Sequence, residues 1–434
     1  MKQALIFVFT LIILTGVAQD YPTNSRTLPN GMKIIVCEKP GNDFVEVQVW
    51  YRTGSKDEVP GIRGMAHMFE HMMFRGTEKY PGNSVFKLFD KVGAQSNAYT
   101  TFDRTVYHEY VPVSALRLAF DLESDRMQNL RVTQEILNSE REVVGEELRN
   151  HLNNWYGKMD ADRYPLLYPT GHPYEVNVIG HLDEILSFTT EQCMNFYNNY
   201  YSPNNAFLVV VGNVQTDSIF TLAEKYFGQV SKQLNLKKRE NVPDVASHKL
   251  LQQELPLDFP VQIYSYVYPR PAAGEKDYYA LNMLSDLLFT DPNSILNNRL
   301  VKKDYLAYSI NSNPDESSLY PDVGVIDVIM GAQPGNVKVK RAIREEINKI
   351  AADGLPQSKI DKYIKAKEAT HVMSNYSAED IAYYFGLAEY YFNDYKIASK
   401  EIDEYRKVTN DDLKRVAADY FSEEKLQVIN IKPD

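Results

Sequence analysis

Apolar residues along this chain follow two periods. Around Val47-Gln48-Val49, and again around Val261-Gln262-Ile263, apolar and polar positions alternate, which predicts strands with one buried face. The β-branched runs Phe207 to Val211 and Leu426 to Ile431 predict closing strands. Between these lie Asp121 to Leu148 and Arg341 to Lys365, long helical stretches with only short breaks. Each half of the chain therefore runs through strands, then long helices, then a last strand. That segregation predicts an α+β fold in which helices cover a mainly antiparallel sheet.

The order is duplicated. Thr189-Thr190-Glu191-Gln192 has the form of a capping box, with Thr189 as N-cap and Gln192 at the third helical position, and its helix runs to Tyr200-Tyr201-Ser202. At an offset of 220, Thr409 caps with Asp412 and the helix reaches Tyr420-Phe421-Ser422. The strand pair Val47-Gln48-Val49 and Val261-Gln262-Ile263 repeats at an offset of 214. Two homologous domains of about 200 residues follow from these echoes. The charged stretch 231–249, with Lys237-Lys238-Arg239-Glu240 and Pro243, reads as the linker between domains 19–230 and 250–434.

Residues 1–18 read as an export signal: Lys2 supplies a positive charge, Ala4 to Gly16 is nearly all apolar, and Gly16-Val17-Ala18 offers small residues for cleavage. The apolar run is too short for a membrane span of roughly 20 residues, so no stable span is expected after its removal. Arg is absent before Arg26, which argues against a mitochondrial presequence and for secretion to a bacterial periplasm. Charge adds an exclusion. With 47 basic and 58 acidic residues the net charge is −11, which disfavours a sequence-independent grip on nucleic acid or anionic lipid. Cys37 and Cys193 are too few for a disulfide scaffold and read as buried thiols.

The chemistry is concentrated in Gly64-Met65-Ala66-His67-Met68-Phe69-Glu70-His71. On a helix, His67 and His71 are four apart and share a face, the arrangement two imidazoles need to bind one Zn²⁺. Glu70, beside His71, can reach a water on that metal without being a ligand. Two histidines leave a catalytic zinc one protein ligand short. The acidic helix from Glu140 to Leu148 offers candidates: Glu140 and Glu147 are seven apart on one face, whereas Glu146 points about 100° away.

Together with Gly54-Ser55-Lys56-Asp57-Glu58 and Phe74-Arg75-Gly76-Thr77, this stretch resembles the inverted zinc motif, HxxEH, of the pitrilysin family, which includes insulysin, mitochondrial processing peptidase and two-domain bacterial relatives. Glu140-Arg141-x-Val143-Val144-x-Glu146-Glu147 resembles that family's second motif. The resemblance implies that Glu147 is the third zinc ligand, that Glu140 orients a ligand, and that Glu70 is the general base of a zinc endopeptidase or oligopeptidase. It further implies that the strand Asn97-Ala98-Tyr99-Thr100 pairs with the substrate backbone, making Asn97 and Ala98 peptide contacts. Thr105, Tyr107 and Pro203-Asn204-Asn205 also match. Family members enclose peptides between clamshell halves, and this chain corresponds to one half.

The second domain departs from the first. Leu281-Asn282-Met283-Leu284-Ser285 stands opposite the zinc motif and holds no ligand, so this domain is metal-free. Many relatives carry an Arg and a Tyr seven apart here to contact substrate. Tyr308 matches the Tyr, but Val301 stands at the Arg position, and Arg299 and Lys302 face other directions on a helix. A homo- or heterodimer, with the Arg supplied by a partner chain where that chain carries it, is therefore expected over a self-sufficient enzyme, and a non-catalytic scaffold is a third reading. The remaining histidines, His108, His151, His172, His181, His248 and His371, read as structural, and Tyr383-Tyr384-Phe385 with Tyr390-Tyr391-Phe392 read as core.

Overall fold

A sheet of mainly antiparallel strands anchors each half of the chain. The computed structural model describes residues 21–236, 241–250, 254–257, 261–312, 317–330, 336–374 and 376–433. The predicted export signal and Lys237 to Glu240 of the predicted linker lie outside them. The first sheet contains β1 (Thr23–Thr27), β2 (Lys33–Glu38), β3 (Phe44–Tyr51), β4 (Gln95–Thr100), β5 (Thr105–Pro112) and β6 (Ala206–Gly212). Its order is β1-β2-β6-β3-β5-β4, and only β2 and β6 run parallel. The second contains β7 (Glu254–Leu257), β8 (Ile263–Arg270), β9 (Ala307–Ser312), β10 (Asp322–Met330) and β11 (Gln427–Pro433). Its order is β7-β11-β8-β10-β9, with β11 and β7 parallel.

The two sheets repeat one plan, since β6-β3-β5-β4 is matched by β11-β8-β10-β9. Both capping boxes form: Thr189 and Thr409 each accept a 3.1 Å bond from the backbone N–H three residues on, and Gln192 and Asp412 return it. The structure changes the register inferred from the Val-Gln pairs. β3 and β8 begin 263 − 44 = 219 residues apart, so Val261 and Gln262 precede their strand. The helices Met65–Met72 and Tyr278–Ser285 begin 278 − 65 = 213 apart, because the connection after β8 is shorter than that after β3. No single offset aligns both.

Apolar packing explains why β6 is buried throughout. On one face of the first sheet, Val45, Val47, Val49 and Tyr51 pack with Met68, Phe69, Phe120 and Phe196 from the helices that follow in the same half. On the other face, Trp50, Val106, Phe207 and Val209 meet Ile381, Ala382 and Tyr390 of the helix Ala378–Phe392, which belongs to the other half of the chain. Glu389, itself buried, pins that helix by accepting a 2.6 Å bond from Lys33 Nζ. The exchange is reciprocal. Met159, Leu167 and Tyr168, from the first half, pack on Ile263, Val267, Ile429 and Ile431 of the second sheet, where Arg163 bonds both Asp327 oxygens at 2.8 and 2.9 Å. Each half thus covers the far face of the other's sheet, which a division at the linker does not reveal. The aromatic series is core in part: Tyr390 is buried, whereas Tyr384 is exposed. Cys37 and Cys193 are both buried free thiols. Among the described residues no helix is long and apolar enough to cross a membrane.

Candidate metal and catalytic site

The helix Met65–Met72 starts at a left-handed Gly64 (φ 94°), where a Cβ would fall 2.7 Å from the Ile179 carbonyl oxygen. Glu58 completes the start by accepting 2.8 Å bonds from the N–H groups of Gly64 and Ala66. Met65, Ala66, Met68, Phe69 and Met72 are buried, which leaves His67, Glu70 and His71 on the remaining face. The helix Gln134–Asn153 begins at Thr133, whose hydroxyl accepts from Ile136 N, and buries Leu137, Val144 and Leu148. Burying that stripe turns Glu140 and Glu147 toward the two histidines.

His67, His71 and Glu147 bring one ligand atom each within 4.8 Å of one another. Nε2 of His67 lies 3.7 Å from one Glu147 oxygen, and Nε2 of His71 lies 3.4 Å from the other. These separations fit a metal better than direct bonding. Ligands about 2.1 Å from a tetrahedral ion are about 3.4 Å apart, beyond an ordinary hydrogen bond. The donor set, two imidazoles and a carboxylate, also suits Zn²⁺ with a fourth position open. Glu140 is fully buried, 3.7 Å from His71 Nδ1. Arg75 grips Glu140 through Nε at 2.6 Å and through its terminal nitrogen at 3.1 Å. Glu146 points away and pairs with Arg149.

Burial, with the neighbouring His71, pushes His67 down to about 4 and leaves its imidazole neutral for ligation. Burial acts to lower His71 as well, but bonding to Glu140 and Glu147 outweighs it and lifts His71 to about 9. The field that does so is one that favours a cation between these groups. Burial raises Glu70, opposed by a hydrogen bond from the Thr100 hydroxyl at 2.7 Å.

Thr100 belongs to β4, the edge of the first sheet. Asn97 is exposed there and Ala98 is buried, with Asn97 Oδ1 accepting from Ala98 N at 2.9 Å. Tyr107, on neighbouring β5, supports the helix Met65–Met72 through a 3.2 Å bond to the Phe69 carbonyl. Tyr308 is exposed on β9, the edge of the second sheet, and among the described residues no hydrogen bond joins it to the histidine group. The cations near it are engaged elsewhere: Arg299 with Ala342 O, Glu345 and Glu346, and Lys302 with Pro292 O and Asn293. In the counterpart helix of the second domain, Ala280, Met283 and Leu284 stand where His67, Glu70 and His71 stand, and all three are core. His172 and His248 make structural bonds, to Tyr174 N and to the Leu166 carbonyl. Three supports of the site, Glu58, Arg75 and the Thr100 hydroxyl, stand among the motif residues quoted above, but no local pattern in the sequence gives their contacts.

Comparisons with known proteins point to one family. Residues 33–164 match the family described as insulinase (peptidase family M16), and residues 187–367 match the peptidase M16 inactive domain. A zinc protease, PqqE, of Helicobacter pylori is 30% identical over 435 residues, covering 96% of this chain and 94% of that protein. An uncharacterized zinc protease, YmxG, of Bacillus subtilis is 24% identical over 92% of this chain and 95% of its own length. The crystal structure of a protease from Helicobacter pylori superposes with a TM-score of 0.83 at 27% identity, covering 95% of this chain and all of that one.

Proposed function

The chain belongs to peptidase family M16, the insulinase family, and on that footing we propose that it is a zinc-dependent endopeptidase or oligopeptidase acting on peptides and unfolded segments. The observation that carries the reading is the convergence of His67, His71 and Glu147 within 4.8 Å, beside Glu70 and an open sheet edge. His67, His71 and Glu147 would hold the metal, while Glu140, itself fixed by Arg75, would orient His71. When bound, zinc would polarise the scissile carbonyl and make a water more acidic. Glu70 would take a proton from the attacking water as hydroxide adds to the carbonyl carbon. It would then pass that proton to the amine nitrogen as the C–N bond breaks. A peptide added to β4 would be held mainly through its backbone, with Asn97 and Ala98 beneath it, which favours tolerance of sequence.

Tyr308 would act as a further peptide contact. The engagement of Arg299 and Lys302 supports a homo- or heterodimer in which a second chain supplies the missing Arg. Export to a bacterial periplasm through residues 1–18 is part of the same proposal. The test is metal analysis of the purified chain together with cleavage of a quenched peptide library, set against Glu70→Gln. Zinc at one per chain, with cleavage by the native chain and none by the variant, is the expected result. Equal cleavage by both would remove Glu70 as the base, and absence of zinc would remove the enzyme. Zinc without cleavage until a partner is added would favour the dimer.

A further inference from the structure

Asp103 follows Thr100, the donor to Glu70, by three residues, in the turn that joins β4 to β5. The turn is tight. Thr101 N donates to the Arg104 carbonyl at 2.8 Å, and the Thr101 hydroxyl accepts from the N–H groups of Asp103 and Arg104 at 3.2 Å. One side of it rests on Gly54, where a Cβ would run into the Thr101 and Phe102 carbonyl oxygens, so only glycine allows the approach. Lys56 N then donates to the Phe102 carbonyl at 2.8 Å, and Lys56 Nζ donates to the Asp103 carbonyl at 2.7 Å. The segment Gly54 to Lys56 thus holds the turn from the first half of the chain.

The second half holds the turn from the other side. Asp103 is buried, and both oxygens of its carboxylate accept hydrogen bonds. Oδ1 accepts from the Tyr174 hydroxyl at 2.7 Å, while Oδ2 accepts from Leu319 N at 2.9 Å and from the Tyr391 hydroxyl at 3.2 Å. The Asp103 carbonyl accepts from the Tyr390 hydroxyl as well. Arg104 repeats the link, its Nη1 donating to the Tyr391 oxygen at 2.7 Å. Leu319, Tyr390 and Tyr391 all lie beyond the linker, so three donors of the second half meet on one residue of the hairpin that carries β4. Hydrogen bonds to a buried carboxylate are stronger than neutral ones and costly to leave unmade, which gives the turn one seat, set by both halves together.

We propose that Asp103 is a positioning residue for the cleavage reaction: it carries the seat of the second half through the turn to Thr100, and so fixes the direction of the Glu70 carboxylate. This rests on the peptidase reading above, with Glu70 as the base. The half that lacks the histidine motif then has a part in the chemical step, separate from any contact it makes with peptide. A second half out of place would draw the end of β4, and with it the Thr100 hydroxyl, away from Glu70. Misdirecting a proton-transfer group acts on kcat, whereas the peptide affinity provided along the rest of β4 is little changed.

The test is a double-mutant cycle on the zinc-loaded full chain, reading kcat and KM for one quenched peptide and the zinc content of each variant. Asp103→Asn keeps the side-chain shape and sets an amide against Leu319 N. Because Asp103 is buried, Tyr390→Phe/Tyr391→Phe is the milder variant, keeping both rings and removing two donors of the second half; should Asp103→Asn fail to fold, the tyrosine pair decides. Each should lower kcat about fivefold, with KM within about twofold of the native value and zinc at one per chain. Added to Thr100→Val, either should cost no more than Thr100→Val alone, since the path to Glu70 is already cut. Contacts that only held the halves together would add their loss to that of Thr100→Val. An unchanged kcat in Tyr390→Phe/Tyr391→Phe, or additive losses in its cycle with Thr100→Val, would overturn the proposal while leaving the peptidase intact. Failure of the native chain to cleave any peptide would remove the peptidase reading and this proposal with it.

Discussion

The Thr100 hydroxyl donates a 2.7 Å hydrogen bond to Glu70, tying the edge strand of the first sheet to the proposed base on the helix Met65–Met72. A peptide that pairs with β4 would therefore settle against the strand that also fixes the group meant to move its proton. Thr100→Val keeps the side-chain shape and removes the donor. It is expected to lower kcat/KM about tenfold while zinc content stays at one per chain. Thr100→Ser should keep most of the activity. A Val variant as active as the native chain would show that the bond does not orient the base.

Glu140 and Arg75 form a second dependency, one step back from the proposed ligands. Arg75 holds Glu140 by a hydrogen bond and a close ion pair, with the carboxylate 3.7 Å from His71 Nδ1. Removing such an outer partner commonly weakens metal affinity 10- to 100-fold, so Glu140→Ala should raise the zinc dissociation constant by about that factor. Arg75→Ala should act in the same direction, since it frees Glu140. Competition with a chelator measures both. His67→Ala, which removes a proposed ligand, should bind no zinc at the concentrations at which these two still do.

Several features were legible in the sequence because they depend on local spacing. His67, Glu70 and His71 lie on one helical turn, Glu140 and Glu147 are two turns apart on one face, and the capping boxes at Thr189 and Thr409 are four-residue signals. The exchange of helices between the halves was not legible. Nothing within Ala378–Phe392 says which of two sheets its apolar face will cover, and its partner Trp50 is more than 300 residues away in sequence. The roles of Arg75 and Glu58, which lie within the motifs that carry the resemblance, were hidden for the same reason. Their roles come from contacts, with Glu140 and with the helix start, that no periodic pattern encodes.

The burial of Glu46 on β3 sets a pH dependence for stability. Its folded value of about 8 lies above the ordinary 4.5 of an unfolded glutamate. Below pH 4.5 the group is protonated in both states and costs nothing. Between 4.5 and about 8 the folded state holds a proton that the unfolded state has lost, so stability falls as pH rises, by up to about 1.4 kcal/mol per pH unit. Glu46→Gln removes this titration. Urea unfolding at pH 5, 7 and 9 should show the variant gaining on the native chain as pH rises, with the gap levelling above pH 8. Parallel curves across that range would mean that Glu46 is ionised in the folded protein at neutral pH.

Two helical glycines should respond to alanine in opposite directions. At Gly145, on the helix that carries Glu147, the atoms nearest an added Cβ would be side-chain atoms of Leu182, Leu186 and Arg149, the closest 3.5 Å away. That is ordinary contact, so the better helix propensity of alanine should raise stability by about 0.5–1 kcal/mol. At Gly386 an added Cβ would lie 2.0 Å from Cζ2 of the Trp50 ring. Trp50 is fully buried between the sheet and the helix Ala378–Phe392, with Phe207 stacked 5.6 Å away, so the ring has little room to retreat. Overpacking of this kind costs roughly 1–3 kcal/mol, which exceeds the propensity gain and makes the variant less stable. Because this helix is contributed by the other half of the chain, Gly386→Ala should also loosen the hold between the halves. Proteolysis under native conditions is expected to cut the Gly386→Ala variant faster than the native chain, and Gly145→Ala no faster. Equal stability of Gly386→Ala and the native chain in urea would show that the helix is not seated on Trp50 as described.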